Sequence, residues 1–253
     1  NSAYATATKF AVTQTDLQDT QLSGLADLAT RLKKAVSDAV SNNDATTLMT
    51  QARSIFEQAS AILNSKDANG DYIYAGGKTD TAPVTVSTLA DLQALPSLAG
   101  AFANGDLKKS VQVADGVTVS YGLAASDVGT GLMQALKDIA AFDAGGSGNL
   151  DAATSLSAAQ NNFLSGAIGT LTGTATDLNA VSAANGYVSN RLTDSQSQQA
   201  SMTTLYKGFV SGIQDTNMAQ AATQLSLNQT QLQASLAVTS TLHQLSLLNY
   251  LPQ

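Results

Sequence analysis

The residues that could do chemistry are few and poorly spaced for it. His243 is the single histidine and cysteine is absent, which excludes disulfides, thiolate metal sites and any histidine-based metal site or catalytic dyad beyond one ligand or base. No carboxylate follows Asp215, so nothing near His243 in the sequence would orient or activate it. Asp67-Ala68-Asn69-Gly70-Asp71 has the composition of a calcium loop. Its glycine comes fourth where the sixth is needed, and Lys78 stands at the twelfth position where a bidentate glutamate belongs. Gly76-Gly77-Lys78-Thr79 ends like a phosphate-binding loop, but Asp71 replaces the upstream glycine. Both are expected to be turns. Asn228-Gln229-Thr230 matches a glycosylation acceptor but sits within a helical pattern and carries no weight. The other acidic residues, among them Asp44, Asp127, Asp151 and Asp215, stand singly at expected caps and turns, where a carboxylate complements a helix N-terminus. No catalytic, metal or cofactor-binding residue is expected, and an enzyme is not supported.

With 253 residues the chain can bury a real core, but the material for it is thin. Hydrophobic residues make up 43%, many of them alanine, and charged residues only 12%, which favours slim helices packed by small side chains. The net charge of −7, with lysines and arginines scattered singly, argues against nucleic acid as a partner. No run of about 18 apolar residues is present, so no membrane-spanning helix is expected. The chain starts at Asn1 without a signal-peptide pattern or an initiator Met, as expected of a trimmed fragment.

The elements follow from periodicity. Residues 1–41 read as one helix with Phe10, Leu17, Leu25, Leu28, Leu32, Val36 and Val40 roughly on one face. Asp44 is placed as N-cap of a second helix carrying Leu48, Ile55 and Ile62. Asp71 to Tyr74 is strand-like, Thr88 to Asn104 holds short helices divided by Pro96, and Val111 to Tyr121 forms a hairpin around Asp115-Gly116. Helix returns near Ser126-Asp127. From Leu150 to Asp215 it continues with breaks expected between Gly169 and Gly173, and with Leu171, Leu178, Val181, Val188, Leu192, Leu205 and Phe209 on the buried side. The fold class is therefore mainly α: a long antiparallel helical bundle with a small β-containing insert. The expected domains are a bundle of residues 1–66 plus 126–215, the insert 67–125, and an assembly helix 216–253.

That last segment is distinctive. Met218, Leu225, Leu232 and Thr239 recur every seven residues, with Ala222, Leu236 and His243 on a second track, the pattern of a coiled-coil seam. Met218, Leu225, Leu232, Leu236, Leu242, Leu245 and Leu248 are the expected subunit-packing residues. A seam at this place is expected to meet either the other end of the chain or another copy.

Several segments together resemble the flagellin-like hook-associated proteins. The run from Asn69 through Gly70, Tyr72, Tyr74, Gly76, Gly77 and Lys78 to Pro83 resembles the stretch by which that family enters its variable insert. The hairpin from Val111 to Val117 is similar to the β-element of the insert. The segments from Asp215 to Leu225, from Gln229 to Leu236 and from Leu245 to Leu251 resemble the closing helix and tail. Within the family the resemblance is to the third type, the hook–filament junction proteins, whereas flagellins commonly end on a different, Leu-Arg-type tail. The family opens with a further helical segment that would precede Asn1, and Asn217 and Gln220 stand where it often has acidic residues. The resemblance implies a structural protein of the bacterial flagellum, exported unfolded through the flagellar secretion system without a cleaved signal. It would work outside the cell. Implied partners are neighbouring copies, the adjacent hook-associated protein, flagellin and an export chaperone. The rival expectations are a filament flagellin and, from another class, an extracellular adhesin or glycan-binding module using the insert, whose Tyr72, Tyr74, Phe102 and Tyr121 could stack on sugars.

Overall fold

The structure, a computed structural model, describes the backbone of residues 2–248 and the side chains of residues 3–243 apart from residue 216. Among the described residues five α-helices and one hairpin follow in chain order: α1 Ser2–Asn42, α2 Leu48–Leu63, α3 Leu89–Ala94, β1 Ser110–Ala114, β2 Val117–Ser120, α4 Ala125–Ala144 and α5 Ala158–Leu248. Short 3₁₀ turns stand at Leu98–Ala101 and Leu150–Ala152. The mainly helical class with one small antiparallel sheet is as the periodicity predicts. The chain divides into two compact units, one ending at Gln198 and one starting at Gln199; α5 contributes to both, and each is described by itself.

In the first unit the main core is a helix-on-helix contact. Leu22, Leu25, Leu28, Leu32 and Val36 of α1 meet Leu48, Ile55, Phe56 and Leu63 of α2, with Leu132, Leu136 and Ile139 of α4 and Leu164, Leu171 and Leu178 of α5. Phe10 and Leu17, expected on the same face of α1, are left exposed. Ile73, Tyr74, Val84, Leu89 and Leu92 from the segment between α2 and β1 join the same cluster. A second, smaller core lies under the hairpin, where Val111, Val113, Val119 and Tyr121 pack on Ala11 of α1 and on Leu192 of α5.

Local chemistry sets the ends of these elements. Thr88 and Asp91 form a capping box on α3, and Ser157 with Gln160 does the same on α5. Asp44 does not cap α2. Its carboxylate accepts instead from the backbone N–H and hydroxyl of Thr46, which hold it below its ordinary pKa, and the helix starts after Thr47. The segment Asp71 to Tyr74 makes isolated bridges only, Lys66 with Tyr72 and Ala75 with Ala124, because left-handed Gly70 and Gly76 turn the chain at both ends. In the hairpin, Gly116 is left-handed and Asp115 is not, so the turn is not of the mirror-image type. A register shift between Gln112 and Ala114 takes up the extra residue. The expected breaks at Gly169 to Gly173 do not occur: α5 runs through them, since Leu164, Leu171 and Leu178 are buried on its inner track. Two glycines cost about 1 kcal/mol each in a helix, less than that burial gains.

Candidate assembly surface

The loops that could have held ligands are occupied by the chain itself. One carboxylate oxygen of Asp67 accepts from the N–H groups of Asn69 (2.9 Å) and Asp71 (3.2 Å). The other lies 3.3 Å from Nε2 of Gln14 and 3.8 Å from Nζ of Lys109. Asp67 thus ties its loop to α1 and to the entry of the hairpin, and its charge adds to burial in raising the pKa of Tyr121. At the second loop, Lys78 donates to the carbonyl of Ala103, and a side chain at Gly76 would collide with the carbonyl of Gly105. Gly76 is there for a close backbone approach in a left-handed turn, and no helix follows it.

The inner track of α5 in the first unit repeats every seven residues as Leu164, Leu171, Leu178, Asn185 and Leu192, all buried. Asn185 donates to the carbonyl of Thr15 at 2.8 Å, so a polar residue within an apolar seam is satisfied by one position on α1. A contact of that kind fixes register, because sliding either helix by a turn would leave the amide buried without its acceptor.

The second unit contains, among the described residues, α5 alone. A seven-residue spacing recurs there in a different phase, at Met218, Leu225 and Leu232, and with the opposite outcome. Met218, Leu225, Leu232, Leu236 and Leu242 are between 60% and 74% exposed, far from what a large apolar side chain shows in a core. The side chains of Leu245 and Leu248 lie outside the described residues. Leu205 and Phe209, expected on the buried side, are about half exposed or more, together with Met202, Tyr206, Val210 and Ile213. Periodicity placed them on an apolar stripe correctly but could not show that nothing in this unit covers it.

Two further features escape a heptad reading. Leu227 and Val238 are also exposed. Nine and twenty residues beyond Met218, they stand roughly 2.5 and 5.5 turns on, on the opposite side of the helix. This helix therefore presents apolar side chains on two faces. Its threonines are also prepared for burial: Thr223, Thr230, Thr239 and Thr241 each donate to the carbonyl four residues back, at 2.8–2.9 Å. A satisfied hydroxyl can enter an interface without a partner from outside. His243 is exposed beside them, and no Asp, Glu, Lys or Arg occurs after Asp215. The arrangement can bury surface and cannot bind by charge.

Residues 168–251 match the family model described as the bacterial flagellin C-terminal helical region. The chain is 36% identical over 92 residues to flagellar hook-associated protein 3 of Salmonella typhimurium and 32% identical over 87 residues to that of Escherichia coli. These stretches cover 35% and 33% of this chain but only 29% and 27% of the relatives, so the match spans less than a third of their length. In fold it is similar to FlgL of Xanthomonas campestris, with a TM-score of 0.64, 12% identity, and coverage of 83% of this chain and 98% of the other. The helix that carries the exposed apolar track is thus similar to the flagellin C-terminal helical region and to flagellar hook-associated protein 3, and the fold is similar to that of FlgL.

Proposed function

We propose that the protein joins the flagellar hook to the filament as a structural adaptor, working by helix packing alone. The observation that carries the reading is the uncharged, apolar α5 surface beyond Asp215, left exposed in the segment that matches the flagellin C-terminal region. Burial of one such Leu is worth about 1.5–3 kcal/mol, so a few of them suffice to hold an assembly. Met218, Leu225, Leu232, Leu236, Leu242, Leu245 and Leu248 are the packing residues on this reading. The two-faced character of the helix fits two neighbours, a helix from the other end of the protein and an adjacent copy. The adjacent hook-associated protein and flagellin are then the partners along the axis, with a chaperone guarding the seam before export and the insert 67–125 facing outward. The protein would act outside the cell as part of the flagellum, without catalysis.

The test is attachment to isolated hooks whose ends carry the adjacent hook-associated protein, measured by co-sedimentation and then by growth of filament on those ends. The chain is expected to attach, and a version lacking residues 217–253 is expected to stay folded and monomeric but not to attach. Attachment by the truncated chain would rule the reading out. Copolymerisation along the whole filament would point to a filament flagellin instead.

A further inference from the structure

With no cysteine, the sulfur chemistry of this protein rests on four methionines, and the fold sorts them sharply. Met49 of α2 and Met133 of α4 are 3% and 0% exposed within the main core. Met202 and Met218, both in the second unit, are 43% and 74% exposed, and Met218 stands on the seam track with Leu225 and Leu232. A thioether reacts as a nucleophile, and its susceptibility follows access to the oxidant. We propose that Met218, with Met202 as a second and weaker site, is an oxidative modification site at which a peroxide-type oxidant switches off the assembly surface. The inference rests on the adaptor reading above.

The chemistry is closed with hydrogen peroxide as co-reactant. The sulfur lone pair attacks one peroxide oxygen, the O–O bond breaks, an S–O bond forms, and water leaves after proton transfer. Sulfur is oxidised by two electrons and the peroxide is reduced by two. The product is a polar sulfoxide on a position proposed for dry packing, where a strong acceptor replaces a flexible apolar side chain. The sequence has no Asp, Glu, Lys or Arg from 216 to 253 with which to absorb that polarity. The loss expected at Met218 is that of one buried side chain, roughly a tenfold weakening of attachment. The modification is reversible by methionine sulfoxide reductases, so the site can be reset.

The experiment exposes the folded chain to graded hydrogen peroxide, maps sulfoxide by peptide mass spectrometry, and measures attachment to the same hook ends before and after. Met218 and then Met202 are expected to oxidise first, with Met49 and Met133 spared until the protein unfolds. Attachment of the wild type is expected to fall with Met218 sulfoxide and to be restored by reductase, while Met218→Leu, compared with its own untreated level, is expected to show no fall on the same treatment. Comparable oxidation of Met49 and Met133 in the folded state would overturn the inference. Equal attachment of oxidised and untreated wild type, or equal loss in Met218→Leu, would overturn it too, and leave the adaptor reading standing. Failure of the untreated wild type to attach would instead remove the adaptor reading and this inference with it.

Discussion

At the scale of single residues, Tyr74 shows what burial does to a polar atom. Its side chain is fully buried, its hydroxyl meets no hydrogen-bond donor or acceptor among the described residues, and burial raises its pKa above the ordinary range. The folded state therefore holds the phenolic proton more tightly than the unfolded chain does. Stability from this group is complete below the unfolded pKa of about 10 and is lost as pH rises beyond it. Tyr74→Phe should leave stability at pH 7 unchanged or raise it by up to about 1 kcal/mol, and should flatten the alkaline decline. Urea melts at neutral pH and near pH 10.5 would show both effects; a clear loss at neutral pH would mean that the hydroxyl has a partner. Lys137 is the opposite case. Its ammonium donates to the carbonyls of Leu92, Gln93 and Leu95 at 3.0, 2.9 and 2.6 Å, closing the C-terminal end of α3. Lys137→Met is expected to cost about 1–3 kcal/mol in a denaturant titration, because these contacts are partly buried and the carbonyls of Gln93 and Leu95 lose the ammonium as donor, while that of Leu92 keeps the N–H of Leu95. Neither role was legible beforehand: Tyr74 could be read as a strand residue or a sugar-stacking aromatic, and Lys137 gave no signal, since its acceptors lie more than forty positions away.

At the scale of elements, the reading of α5 failed where local preference and packing disagree. Gly169 and Gly173 signal a break, yet both sit mid-helix with open space where a side chain would be. Gly169→Ala and Gly173→Ala should each stabilise the first unit by about 0.5–1 kcal/mol, seen as a rise in the unfolding midpoint. A drop would show that these positions are kept small for a contact made in the assembly. The hairpin was legible because Asp115-Gly116 between alternating valines is a strong local signal. The start of α2 was misplaced because Asp44 has an alternative partner in Thr46, and an Asx turn competes with a cap for the same carboxylate.

At the scale of the molecule, two exchange regimes are expected. Amide protection should be high through α1 between Leu22 and Val36, in the main core, and low between 217 and 243, where the large apolar side chains are exposed. Hydrogen exchange read by mass spectrometry would check this directly, and uniform protection would contradict it. The absence of charge beyond Asp215 also sets the salt response of the proposed attachment. Between about 0.05 and 0.5 M salt it should vary less than about threefold, since exposed ion pairs are what salt screens. Co-sedimentation with hook ends across that range would measure it, and a steep decline would move the contact to charged residues of the first unit.

The sequence by itself determined the helical class, the hairpin and the seven-residue stripe beyond Asp215. These follow from periodicity and residue type over short windows. Only the tertiary structure decided which apolar track of α5 is core and which is surface. Leu164, Leu171, Leu178 and Leu192 share their spacing with Met218, Leu225 and Leu232, yet the first set is buried and the second exposed. A repeating apolar pattern specifies that a helix has a face to cover. It carries no record of what covers it, because that depends on elements distant in sequence. In the first unit α1, α2, α4 and the hairpin cover α5 and make it core; in the second unit, Met218, Leu225 and Leu232 are exposed and form the surface on which the proposed assembly rests.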